Sequence, residues 1–221
     1  MATVLDLSSQ LRITEIFLSL QGEANTVGLP TVFVRLTGCP LRCQYCDSEY
    51  AFSGGKMKTL KGMLAEVTEL GVSRVTVTGG EPLAQPNVHP LMQCLCDNGY
   101  AVSLETSGAL PVANVDDRVV RVVDLKTPDS GECHRNLWNN MACLGIRDQV
   151  KFVICSRSDY DWAKLKCDEY ALCERVADVL FSPSFGQIEG KDLADWILAD
   201  KIEVRMQLQL HKLLRGDVPG R

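Results

Sequence analysis

Short β-branched apolar runs alternate along this chain with longer stretches in which apolar residues recur every three or four positions. The runs predict strands over Thr31–Thr37 (TVFVRLT), Arg74–Thr78 (RVTVT), Ala101–Glu105 (AVSLE), Val119–Leu125 (VVRVVDL), Gln149–Cys155 (QVKFVIC) and Val179–Ser182. The helical period predicts a helix over Met57–Leu70, with Leu60, Met63, Leu64, Val67 and Leu70 apolar and Gly71 as a stop signal. A second helix is expected over Val88–Asn98, closed by Gly99, and others over Asp159–Arg175 and Asp192–Asp200. A final extended segment begins at Glu203–Leu208 and carries His211 and Lys212 at its end. Alternating strands and helices favour βα units around a parallel sheet. Periodicity does not separate a closed barrel from an incomplete one. The unusual residues nonetheless fall at one kind of place. Thr78-Gly-Gly-Glu-Pro, Glu105-Thr-Ser-Gly, Asp124-Leu-Lys126 and Ser182-Pro all follow strands, at the edge where α/β sheets bind ligands.

At 221 residues the chain suits one domain over 1–221, and 46% hydrophobic with 23% charged residues is ordinary for a globular protein. A net charge of −5 argues against a nucleic-acid footprint. The N-terminus lacks a basic segment followed by a continuous apolar stretch, and no run approaches the ~20 apolar residues that span a bilayer. A cytoplasmic location is expected, without a membrane partner, and the ten cysteines then read as thiols rather than as a disulfide framework.

Three of those thiols stand apart. Cys39, Cys43 and Cys46 form C-x3-C-x2-C directly after a strand, while Cys94, Cys96 and the others lie in apolar or helical surroundings. Three thiolates in eight residues reach one soft metal centre and leave a vertex open for chemistry. A zinc knuckle completed by His89, His134 or His211 is the alternative. The spacing resembles the cluster loop of radical S-adenosylmethionine (SAM) enzymes, with Tyr45 at its aromatic position. In that superfamily three cysteines hold a [4Fe-4S] cluster and SAM chelates the fourth iron. One βα unit later, Gly79-Gly80-Glu81 matches the stretch that meets the SAM amino group, where carbonyls and a carboxylate supply acceptors.

Taken together, EIFLSLQGE from Glu15, FVRLTGCPLRCQYCDS, VTVTGGEP, ETSG and a terminal HK resemble the 7-carboxy-7-deazaguanine synthase family, from Glu15 to Lys212. The resemblance implies an α/β fold with an incomplete radical SAM βα barrel, a parallel sheet with an N-terminal extension. It implies a homodimer that uses a [4Fe-4S] cluster, SAM and Mg2+ with an electron donor such as flavodoxin. The implied reaction is a lyase step on the route to queuosine: 6-carboxy-5,6,7,8-tetrahydropterin becomes 7-carboxy-7-deazaguanine with loss of ammonia. Position by position, Leu20, Gln21, Gly22 and Glu23 would hold the pterin, Arg35 its carboxylate, and Thr78, Glu105 and His211 the rest of the pocket. Ser48 stands where many members carry a threonine ligand for Mg2+. Tyr45, Asp47, Gly79, Gly80, Glu81, Lys126 and Ser182 fall to SAM. Two rivals remain: a glycyl-radical activating enzyme, which shares the cysteine spacing, and a non-catalytic metal-binding module.

Overall fold

The computed structural model describes residues 6–216. The expected domain of 1–221 runs past these residues at both ends.

Nine strands form one open sheet in the order β3-β1-β2-β4-β5-β6-β7-β8-β9. They are β1 (Gln10–Leu20), β2 (Pro30–Leu36), β3 (Lys56–Thr59), β4 (Arg74–Gly79), β5 (Ala101–Thr106), β6 (Val120–Leu125), β7 (Gln149–Ile154), β8 (Asp178–Pro183) and β9 (Arg205–Met206). From β2 to β9 all pairing is parallel, and β1 adds itself antiparallel to β2 and to β3. The sheet does not close, so the fold is an incomplete barrel, extended beyond β2 by the N-terminal strand β1 and by β3, which pairs antiparallel to it.

The helices are α1 (Leu60–Glu69), α2 (Val88–Asp97), α3 (Arg157–Tyr170), α4 (Leu172–Arg175), α5 (Gly190–Asp200) and α6 (Leu210–Arg215). Successive strand residues point to opposite faces. One face of the parallel strands, with Val32, Val34, Val75, Val77, Leu104 and Phe152, joins the helices in the hydrophobic core. On the other face the same alternation presents Arg35, Thr78, Glu105, Asp124 and Lys151. The parallel register sets Arg35 opposite Thr78 and Asp124 opposite Lys151. A barrel's outer ring thins here: the β5–β6 link has no helix, and β6–β7 carries only three 3-10 turns.

Several expected elements change. Helix α1 starts at Leu60, not Met57, because Lys56–Thr59 pairs with β1 and Thr59 caps the helix, its hydroxyl accepting from Gly62 N–H. The helix expected over Asp159–Arg175 breaks at Ala171, which adopts φ 48°, into α3 and α4. The terminal extended segment shrinks to Arg205–Met206, and His211 sits in α6 rather than at a strand end. Strand β1 has no counterpart among the expected elements.

Candidate active site

Strand alternation and the loops after β1, β2 and β4 build one cavity of about 230 Å³. Its wall includes Cys39, Cys43, Cys46, Tyr45, Asp47, Ser48, Leu20, Gln21, Gly22, Glu23, Arg35, Thr78, Gly79, Gly80, Glu105, Lys126 and His211. Residues from positions 20 to 211 thus meet around one space. Two expected residues do not line it. Glu81 is fully buried beneath the loop after β5, accepting from Leu83 N–H, Thr106 Oγ1 and both the N–H and hydroxyl of Ser107. Ser182 is also buried, with an unpartnered hydroxyl, while Ser184, two residues on, reaches the wall with its own hydroxyl unpartnered.

The cysteine loop is fixed against the Gly-Gly turn by close backbone contact. A Cβ at Gly80 would lie 2.8 Å from Cys39 Cβ and nearer still to the Gly38 carbonyl oxygen, so only glycine fits. Gly80 N–H donates to Leu36 O (3.2 Å) and Glu81 N–H to Gly38 O (2.8 Å). The loop is tied on its other side by Gln44 N–H to Ser130 O (3.0 Å) and Arg42 N–H to Glu132 Oε1 (2.7 Å). Burial is the largest influence on the three thiols and raises each; Cys43 is pushed up to about 11. Thiolates in this loop therefore need a cation to compensate them.

Among the described residues, no three side chains of His, Cys, Asp and Glu gather closely enough for a single metal ion, as a zinc knuckle requires. A [4Fe-4S] cluster asks something different, since each thiolate binds its own iron corner. Three thiols on one cavity wall fit that group. Beside them, Lys126 Nζ pairs with Asp124 Oδ2 (2.9 Å) and lies 5.7 Å from the Tyr45 ring centroid. Asp124 Oδ1 and Tyr45 Oη are buried without partners. Buried polar atoms left unpaired mark where a ligand's own polar groups belong.

Across the cavity two carboxylates are pushed in opposite directions. Burial alone would raise Glu23, but the Lys151 ammonium and the hydrogen bond it donates hold Glu23 below the ordinary carboxylate range. Gln209 Nε2 donates to Glu23 as well (2.7 Å). Glu105 meets only neutral donors, Thr78 Oγ1 (3.1 Å) and Gln21 Nε2 (3.3 Å); burial and the nearby Glu23 charge push it up. Gln21 is itself occupied, since its amide also reaches Thr76 Oγ1 (3.1 Å) and accepts from Glu23 N–H (3.2 Å). Asp47 is brought down to about 2: its own burial opposes the shift, but Lys212 and Lys151 charge and bonds from Gln209 and Ser48 prevail. His211 packs where a Gly22 side chain would be, and burial lowers its pKa.

Lys151, Asp124, Gln209 and Ser184 belong to the wall without having been expected as ligands. Lys151 had a legible signal, a lone charge inside the apolar run QVKFVI. Ser184 had none.

A sequence model of the radical SAM superfamily matches residues 33–126. The 7-carboxy-7-deazaguanine synthase of Koribacter versatilis is 43% identical over 92% of this chain and 96% of its own length. The protein of the same name from Thermoplasma acidophilum is 37% identical over 94% and 99%. The crystal structure of QueE from Escherichia coli superposes with a TM-score of 0.76 at 22% identity, over 91% of this chain and 95% of that one, which speaks for the fold.

Proposed function

The chain belongs to the 7-carboxy-7-deazaguanine synthase family of the radical SAM superfamily, and from that premise we propose that it makes 7-carboxy-7-deazaguanine from 6-carboxy-5,6,7,8-tetrahydropterin with loss of ammonia. The observation that carries the proposal is the single cavity joining three cysteines, an arginine held at Nε by Glu15 and two carboxylates whose pKa values are pushed in opposite directions.

Membership of the superfamily brings a [4Fe-4S] cluster and SAM. Cys39, Cys43 and Cys46 would hold the cluster, and Gly79, Gly80 and Lys126 would meet the amino and carboxylate ends of SAM. When bound, this pair supplies one-electron, hydrogen-abstracting chemistry. The chain's own residues do the rest. Arg35 offers its terminal nitrogens to the substrate carboxylate, the geometry in which a guanidinium fork is strongest. Glu23, kept anionic by Lys151, accepts from ring N–H groups. Glu105 holds a proton more readily than an ordinary carboxyl, and loss of ammonia needs a proton at the departing nitrogen. Phe17 and Phe33, stacked with centroids 5.1 Å apart, give the cavity a flat apolar wall. Ser48, on that cavity, would ligate Mg2+, which acts as a template and Lewis acid on substrate oxygens. Ser184 and Ser182 are both candidates for the nucleoside part of SAM. A second copy of the chain is the proposed partner, supported by Leu18, Leu20 and Leu29, which are exposed on and beside β1. An electron donor of the flavodoxin type is proposed with it.

The test is anaerobic incubation with SAM, a reductant and the carboxypterin, with and without Mg2+, following product by its ultraviolet spectrum. Mg2+-dependent product is expected. An intact cluster that cleaves SAM without forming product overturns the substrate. Turnover of a peptide loop instead would make the chain a glycyl-radical activating enzyme.

A further inference from the structure

Glu15 opens the EIFLSLQGE motif but is not part of the cavity wall. Across the β1–β2 ladder it lies directly opposite Arg35, next to a register shift between Ile13 and Glu15. Its Oε1 accepts from Arg35 Nε (2.7 Å) and from Tyr50 Oη (2.8 Å). Arg35 also lies over two rings, its Cζ 5.9 Å from the Phe17 centroid and 5.7 Å from that of Tyr50. Among the described residues, no side chain or carbonyl accepts from its two terminal nitrogens.

A guanidinium has two edges that can grip a carboxylate side-on: the Nε edge and the edge between the terminal nitrogens. Glu15 takes Nε, so only the terminal pair is left to face the cavity. The aromatic faces restrict the plane in which that pair lies, and both favour a cation over their π faces. Glu15 also explains how an arginine whose side chain is only 16% exposed can be accommodated on this wall. Its charge is compensated at the end that does not meet ligand.

Resting on the proposed substrate, we propose that Glu15, braced by Tyr50, is the positioning residue that makes Arg35 select a carboxylate on the pterin ring. Glu15 does not touch the ligand. Its effect is carried by which edge of Arg35 is presented.

The experiment measures anaerobic equilibrium binding to the cluster-loaded protein with SAM and no reductant, so that nothing turns over. The probes are 6-carboxytetrahydropterin and the same ring without the carboxylate. Wild-type protein should prefer the carboxylated ring. Glu15→Ala should weaken that ligand by about 10-fold, the factor expected for one charge-assisted hydrogen bond's orientation, and leave the other ring within about 2-fold. Glu15→Gln keeps an acceptor oxygen and should recover most of the preference, which a role of charge alone would not allow. Tyr50→Phe, which keeps the ring but loses the brace, should fall between. In an Arg35→Ala background, Glu15→Ala should change neither ligand. Equal weakening of both rings by Glu15→Ala, or tighter binding of the carboxylated one, overturns the inference alone. A wild-type protein without preference overturns the substrate proposal and this inference with it. Should Glu15→Ala not fold, the Glu15→Gln and Tyr50→Phe pair decides, because equal effects on both rings there also overturn it.

Discussion

Gly80→Ala should empty the cluster loop while leaving the rest of the protein folded. Its new Cβ would sit 2.7 Å from the Gly38 carbonyl carbon and 2.8 Å from Cys39 Cβ. Carbon atoms attract best at about 3.5–4.0 Å, so the 38–39 backbone must withdraw by roughly 0.7 Å. That stretch carries the Glu81 N–H to Gly38 O bond, now 2.8 Å, to the edge of hydrogen-bond range. Losing it costs about 1 kcal/mol, and the overpacking adds about 1–3 kcal/mol. A total near 3 kcal/mol disfavours the native loop about 100-fold, and Cys39 moves with it. The assay is iron and acid-labile sulfide per chain after anaerobic reconstitution, with a urea unfolding curve on the same sample. Gly145→Ala is the control, because a Cβ there meets nothing within 4 Å. Full [4Fe-4S] loading of Gly80→Ala at wild-type yield, with an unchanged urea midpoint, would refute the reasoning.

Lys151→Met should destabilise the protein by about 3 kcal/mol at pH 8, where it strands a buried Glu23 anion, and by clearly less at pH 5. The sign follows from linkage. In the wild type the lowered Glu23 carboxyl contributes stability above its unfolded pKa that is lost on acidification. Without Lys151 burial dominates and reverses that trend, so a loss independent of pH in urea midpoints would count against the pairing. His211 is held below its usual 6.5, so unfolding takes up a proton there, and its stability rises with pH through the window just below 6.5. His211→Gln should flatten that part of a stability-against-pH curve. Glu81→Gln places an amide N–H2 among the donors of Thr106, Ser107 and Leu83. It should cost about 2 kcal/mol in urea denaturation. Alanine at Cys39, Cys43 or Cys46 should abolish cluster loading, whereas Cys94→Ala, on α2, should retain it.

Much of the site was legible because its chemistry is local. Three thiols need only a short loop to converge, and a glycine pair beside a carboxylate is visible wherever it stands. Strand ends, too, announce themselves through β-branched runs that stop at glycine or proline. Less visible was β1, whose outer half is only partly covered and whose residues serve the cavity as much as the core. A six-residue helix such as α6 is too short for periodicity to reveal, and it exists by docking, with Leu210 N–H donating to Gly22 O (3.0 Å).

What the sequence determined by itself was the kind of chemistry: three cysteines in one short loop, a Gly-Gly turn one βα unit later, and an arginine and carboxylates on strands. What only the tertiary structure decided was how those groups are charged and aimed. Lys151 finds Glu23 across 128 residues, and Glu15 meets Arg35 only because β1 pairs antiparallel with β2. No local propensity encodes such pairings. They arise when apolar faces pack, water is excluded, and each polar group left on the concave face must take the partner that the register brings to it.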